Sequence, residues 1–134
     1  MTTATVDRIN PAPWSTAFGY DQGQLRPAPT RLLTLAGQGP LDDAGRLLHE
    51  DDPAAQVALA LANVEAVLAA GGMTLADVLR LTVYATDVDA VLGCFDALTD
   101  RLAAAGATPP MTLVGVARLA LPGMVVELEA TAGN

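Results

Sequence analysis

Met124-Val125-Val126-Glu127-Leu128-Glu129-Ala130-Thr131-Ala132 has the apolar, β-branched composition of a buried strand, yet two carboxylates interrupt it. Side chains alternate along a strand, so Glu127 and Glu129 share a face with Val125 while Val126, Leu128 and Ala130 point the other way. Burying an unpartnered carboxylate costs on the order of several kcal/mol. The glutamate face must therefore meet water, a counter-charge or a ligand. Two readings follow: a solvated sheet face, or a cleft that holds a working acid.

Working outward from this strand, Leu121-Pro122-Gly123 turns the chain and Met111 to Arg118 reads as the strand before it. Thr108-Pro109-Pro110 bars helix there. Asp87 to about Ala105, closed by Gly106, reads as a helix. Val78 to Ala85 is the strand most enriched in β-formers. Asp52-Pro53 pairs a capping aspartate with proline at the first helical position. The stripe Val57, Leu61, Val64, Leu68 then predicts an amphipathic helix, with Gln56, Asn63 and Glu65 off the stripe. Gly71-Gly72 ends that helix, and Thr74 to Asp77 makes a corner. Earlier, Arg31 to Gly37 reads as a strand broken by Gly37-Gln38-Gly39-Pro40, and Leu41 to Leu47 as a turn. Phe18 to Leu25 predicts a short edge strand, and residues 1–12 an irregular lead-in. The expectation is a single α+β domain over 1–134, a mixed sheet with two α-helices packed on one face. The glutamate face is left uncovered, and oligomerisation would cover it.

The 134 residues are 51% hydrophobic and 16% charged, which excludes general disorder. With fifteen acids against seven bases the net charge is −8, which disfavours nucleic acid or anionic lipid as a partner. All seven bases are arginine, so no lysine Schiff base is possible. One histidine, His49, and one cysteine, Cys94, exclude an internal disulfide and disfavour a zinc site. No apolar run is expected to be long enough for a bilayer, and the N-terminus lacks signal-peptide order. The expectation is a cytoplasmic protein without metal or cofactor, using carboxylates, hydroxyls, arginines and backbone amides. His49, beside Glu50, Asp51 and Asp52, reads as solvated decoration, and Cys94 as an inert core thiol.

Ala36-Gly37-Gln38, the run Gln56 to Leu68, Thr82-Val83-Tyr84 with Asp87, and Val116 to Leu119 leading into Val126-Glu127-Leu128-Glu129-Ala130 together resemble the RidA/YjgF reactive-intermediate deaminases. The resemblance spans roughly Tyr20 to Ala132, in order, with one extra residue near 119–122. It implies a chorismate-mutase-like fold and a homotrimer with a barrel-like core. It also implies inter-subunit clefts where imines and enamines are hydrolysed without a cofactor. Carried over position by position, the family's water-positioning glutamate falls on Glu127, its glycine on Gly37 and its tyrosine on Tyr20. The family's substrate-clamping arginine falls on Met111, its following serine on Thr112 and its cysteine on Leu113. Its other serine falls on Ala36 and its asparagine on Phe95.

Methionine cannot form the two charge-assisted bonds of a guanidinium on a carboxylate. Met111, Leu113, Ala36 and Phe95 would make the cleft apolar, with Glu127 placed for acid/base work on a neutral, hydrophobic imine, enamine or carbonyl compound. Tyr20 would lid the cleft or simply pack, and Thr112 would offer a hydroxyl. Glu129 would pair with Glu127 or meet an arginine. Arg26 or Arg31 would be the replacements for the lost arginine; Arg118 reads as an ion-pair residue near the sheet's end. The function expected is a divergent member, poor on 2-aminoacrylate. A non-catalytic ligand-binding trimer and a condensing or cyclising biosynthetic enzyme are the alternatives.

Overall fold

The computed structural model describes residues 5–134. The first four residues of the expected lead-in lie outside that range. Its remainder is not irregular: Asp7–Ile9 forms β1, paired antiparallel with β2, Gly23–Leu25. Between them Pro13–Phe18 winds a short 3-10 turn, so the expected strand from Phe18 is reduced to its last three residues.

The main sheet contains β3 (Leu32–Thr34), β4 (Val78–Ala85), β5 (Met111–Gly115) and β6 (Val126–Gly133) in the order β3-β6-β4-β5. β4 and β5 are parallel and the other pairs antiparallel, which makes the sheet mixed. Helix α1, Pro53–Ala70, starts where expected: the Asp52 side chain accepts from the Ala55 amide, with proline following. Its Val57, Leu61, Val64 and Leu68 are all buried, and they pack on Leu81, Val83, Val126, Leu128 and Ala130. One face of the sheet is thus the core. This is the α+β, chorismate-mutase-like arrangement anticipated from the resemblance.

The expected second helix is interrupted. α2 (Val88–Leu92) and α3 (Asp96–Ala104) are separated by Gly93-Cys94-Phe95. Across the break the amides of Cys94, Phe95 and Ala97 reach back three residues rather than four. Gly93 weakens the helix there, and the tightened turn lets Val91 and Leu98 both bury fully. A second correction concerns α1. Its 18 residues are, by length and composition alone, long and apolar enough to cross a bilayer. Here it is the core helix, and its Glu65 forms an ion pair with Arg101 of α3.

Two buried polar side chains lock the periphery. Gln56, expected off the apolar stripe, is fully buried. Its amide donates to the carbonyls of His49 (3.1 Å) and Gly123 (2.9 Å), while its oxygen accepts from the Val125 amide at 2.8 Å. Asp21, also fully buried, accepts from Arg8, Asn10, Gln24 and Thr108. Burial pushes the Asp21 carboxyl up, but those hydrogen bonds outweigh it and hold the group well below the usual range. A carboxylate depressed in the folded state stabilises above its unfolded pKa and loses that contribution as pH falls. Stability should therefore drop as pH falls below about 4. Asp21→Asn should lose about 3 kcal/mol at pH 7 and show a flatter acid limb. Thermal melts of both proteins from pH 7 to 3 check this, and parallel curves would exclude it.

Candidate functional site

Alternation gives β6 two distinct faces. Val126, Leu128, Ala130 and Ala132 are buried, whereas Glu127 and Thr131 are half-buried and Glu129 is exposed. The neighbouring β4 places Thr82 opposite Glu129 and Tyr84 opposite Glu127. This open face, away from the helices, carries hydroxyls, carboxylates and, on β5, the exposed Val114.

The two carboxylates differ in what they meet. The Tyr84 hydroxyl donates to Glu129 Oε1 at 3.1 Å. That bond raises the phenol above its ordinary value, with desolvation and the charges of Glu129 and Glu127 adding to it. Tyr84 therefore remains a donor. Glu127 makes no hydrogen bond or ion pair among the described residues. Its side chain instead lies over Gly37, where an added Cβ would stand 1.9 Å from Oε1.

A one-residue irregularity brings these two together. Leu35 donates to the Ala130 carbonyl, and Gln38 exchanges both backbone bonds with Leu128. Relative to the Thr34–Thr131 pairing, one extra residue is accommodated at Ala36-Gly37. Such a bulge bends a strand and re-aims its neighbours. Only glycine leaves room for the carboxylate here. Asn63 of α1 fixes the following loop by donating to the carbonyls of Gly39 and Leu41.

The remaining candidates are distributed elsewhere. Ala36 is exposed beside Gly37. Thr112 is exposed on the open face, its hydroxyl accepting from Arg80 at 2.8 Å. Met111 and Leu113 are side by side with Leu81 and Val83 and pack against the core. Within one chain they lie on the face opposite Glu127, because parallel pairing with β4 sets their side. Tyr20 meets Trp14 edge-on, with centroids 6.1 Å apart. Phe95, at the start of α3, lines an open hollow of about 380 Å³ with Phe18, Gly19 and Thr99. No hydrogen bond joins Tyr20 to the glutamate face. The structure thus brings together Glu127, Gly37 and Ala36, with Thr112 on the same face. Any meeting of these with Met111 or Leu113 requires a second copy of the chain.

Arg26, Arg31 and Arg118 carry the remaining expectations. Arg26 is bound to Gln24 and to the carbonyls of Ala76 and Val78, and Arg31 to Asn134. Arg118 is not the expected ion-pair residue. β5 ends at Gly115, and Arg118 sits in the following loop with its Nε on the Leu119 carbonyl. His49 and Asp51 adopt positive φ (60° and 64°) in the turn preceding α1, and His49 is held through its carbonyl by Gln56. Cys94 is half-buried, its thiol raised by desolvation and by Asp96 and Asp52. Tyr84 and Gln56 were missed by pattern reading. Tyr84 at period-two spacing from Thr82 was the available signal; for Gln56 it was the four- and eight-residue spacing to Ala60 and Val64, which puts it on the buried face of α1.

The family profile described as Endoribonuclease L-PSP matches residues 12–133. Protein DfrA of Myxococcus xanthus is 35% identical over 123 residues, covering 90% of this chain and 84% of that protein. Among solved structures, the Rid-family protein YyfB of Yersinia pestis, of unknown function, is 32% identical with a TM-score of 0.86, covering 96% of this chain and 98% of that one. TdcF of E. coli, solved with bound serine, is 27% identical with a TM-score of 0.70, covering 86% and 87% respectively.

Proposed function

Because the chain belongs to the endoribonuclease L-PSP family, the RidA/YjgF group, we propose that it hydrolyses or rearranges a small, relatively apolar imine, enamine or carbonyl compound with Glu127 as the acid/base. One observation carries this reading. Of two carboxylates on the open face, Glu129 is engaged by Tyr84, whereas Glu127 is seated against Gly37 with its oxygens unengaged among the described residues. In hydrolysis, Glu127 takes a proton from water as its oxygen adds to the C=N carbon. Returning protons to nitrogen breaks the C–N bond, leaving a carbonyl and ammonia.

Divergence from the family pattern rests on Met111 standing where the family's arginine falls. TdcF was solved with serine, a ligand bearing a carboxylate. Met111 offers such a group nothing, so 2-aminoacrylate is a poor substrate. We further propose a cytoplasmic homotrimer without metal or cofactor, in which copies cover the open face. Leu32 (62% exposed) and Val114 (39%) are the apolar residues such packing would bury. Light scattering giving a monomer mass would reject the assembly. RNA is disfavoured as a substrate by the net charge of −8 and the carboxylates of the face.

The deciding experiment measures ammonia release from a panel of apolar imines by wild type and Glu127→Gln. The variant should lose about a hundredfold or more in kcat, in the range of general acid–base catalysis, with its melting temperature kept. Equal rates in both proteins would remove Glu127 from the chemistry. Binding without turnover in either would favour a carrier or sensor.

A further inference from the structure

Strand β4 sets a tyrosine across from the unengaged carboxylate. Tyr84 pairs with Glu127 in the β4–β6 register, and the next pair on that face is Thr82 with Glu129. Side chains directly opposite one another stand about 5 Å apart, and diagonal neighbours stay within reach of an aromatic ring. The Tyr84 hydroxyl takes the diagonal and donates to Glu129 Oε1 at 3.1 Å. Glu127 still bears on the phenol, which its charge helps to raise.

A phenol has one proton to give and lone pairs with which to accept. With that proton spent on Glu129, the Tyr84 oxygen offers only acceptor sites to whatever lies beside Glu127. The arginines nearest in the fold are committed or remote. Arg80 lies opposite Thr131, four residues from Tyr84 along β4 and so about 13 Å away, with its guanidinium on the Thr112 hydroxyl. Arg118, in the loop after β5, is bonded through Nε to the Leu119 carbonyl. The groups around Tyr84 on this face therefore present negative charge and oxygen lone pairs, an environment for a cation that carries N–H.

We infer that Tyr84, oriented by Glu129, is the residue that reads the substrate nitrogen, and that the substrate is bound as a protonated imine with an apolar remainder and no carboxylate. The phenol oxygen accepts the iminium N–H, and the two glutamates balance its charge. The inference rests on Glu127's face being the reaction site, and it names the charge state and class of substrate that the site takes. Neighbouring negative charge favours the protonated form of an imine, which is its more electrophilic form. Water then adds through oxygen to the C=N carbon, Glu127 takes the proton that the water gives up, and the π pair moves to nitrogen and discharges it. A carboxylate on the substrate would be repelled by Glu127 and Glu129, in keeping with Met111 in place of the family's arginine.

The test uses benzylamine, an ammonium at neutral pH that mimics the iminium without reacting, and anisole, neutral, of the same size and with no N–H to donate. Binding to the full chain is measured by calorimetry for wild type, Tyr84→Phe and Glu129→Gln, beside imine turnover by the same proteins and by Glu127→Gln. Wild type should bind benzylamine at least about tenfold more tightly than anisole. Tyr84→Phe, which keeps the ring and removes one oxygen, should weaken benzylamine about fivefold and leave anisole unchanged. Glu129→Gln should weaken benzylamine at least as much, because it removes a charge and frees the direction of the phenol proton. A wild-type ratio near one, or a Tyr84→Phe protein that holds both ligands as wild type does or loses both alike, overturns the inference even where Glu127→Gln abolishes turnover. If instead Glu127→Gln keeps full turnover while Tyr84→Phe loses benzylamine, the catalytic reading fails and the cation site stands. Should Tyr84→Phe not fold, Glu129→Gln decides, and an undiminished ratio there overturns the inference.

Discussion

Gly37→Ala is expected to lower kcat/KM for apolar imines about a hundredfold while moving the melting temperature by no more than a degree or two. The added Cβ would lie 1.9 Å from Glu127 Oε1, 2.7 Å from Cδ and 3.0 Å from Cγ. No atom pair tolerates the first of those distances, so something must shift. The group in conflict is the far end of a flexible side chain with room on the open face, so the carboxylate swings aside at little cost to the fold. Its displacement exceeds 1 Å, and a misplacement of that size costs about a hundredfold where a catalytic group must be in register with its substrate. A packing role for Gly37 predicts the reverse pattern, a lower melting temperature with activity preserved. Steady-state kinetics and a thermal melt on one preparation separate the two. Full activity in Gly37→Ala would show that the seat of Glu127 on the bulge is irrelevant to turnover.

The bulge itself was not legible in the sequence, although both residues it joins were. Period-two reading placed Glu127 and Glu129 on one face correctly, because that depends only on the strand being regular. It said nothing of what lies across from them. The partner of Glu127 is set by one extra residue in a strand ninety positions away. The same limit explains Met111. The sequence located it at the start of a strand, but its face is dictated by parallel pairing with Leu81, a choice made by topology. Arg118 was misplaced for a related reason: reading the strand from Met111 through Arg118 presumes that it continues, and β5 stops at Gly115. Where local chemistry suffices, the reading held. Asp52 with Pro53 fixed the start of α1 to the residue, and the bounds of β4 agreed throughout. The interrupted helix and the β1–β2 hairpin depend on packing, Val91 with Leu98 in one case and the Asp21 cluster in the other.

Gln56→Met should destabilise the hydrogen-bonded periphery as much as Asp21→Asn does, lowering stability by about 3 kcal/mol and the melting temperature by roughly 10 °C. Methionine nearly conserves the volume, so the loss reports hydrogen bonding, not a cavity. Three backbone groups lose their partner: the Val125 amide and the carbonyls of His49 and Gly123. These belong to segments with no mutual ladder, the turn before α1 and the loop between β5 and β6, so neither can satisfy the other once Gln56 is gone. The consequence reaches the site as well. Gly123 and Val125 wall an open hollow of about 370 Å³ beside Thr86 and Arg118, and Val125 precedes Glu127 by one step on the same face. Loosening them should lower turnover of apolar imines by Gln56→Met as well, because Glu127 follows Val125 on the same face and must stay in register with its substrate. A denaturation curve and steady-state kinetics on apolar imines measure both effects. A melting temperature within 2 °C of wild type would mean that water or a rearranged loop satisfies those three groups, and that the wall of the hollow is set by β6 alone.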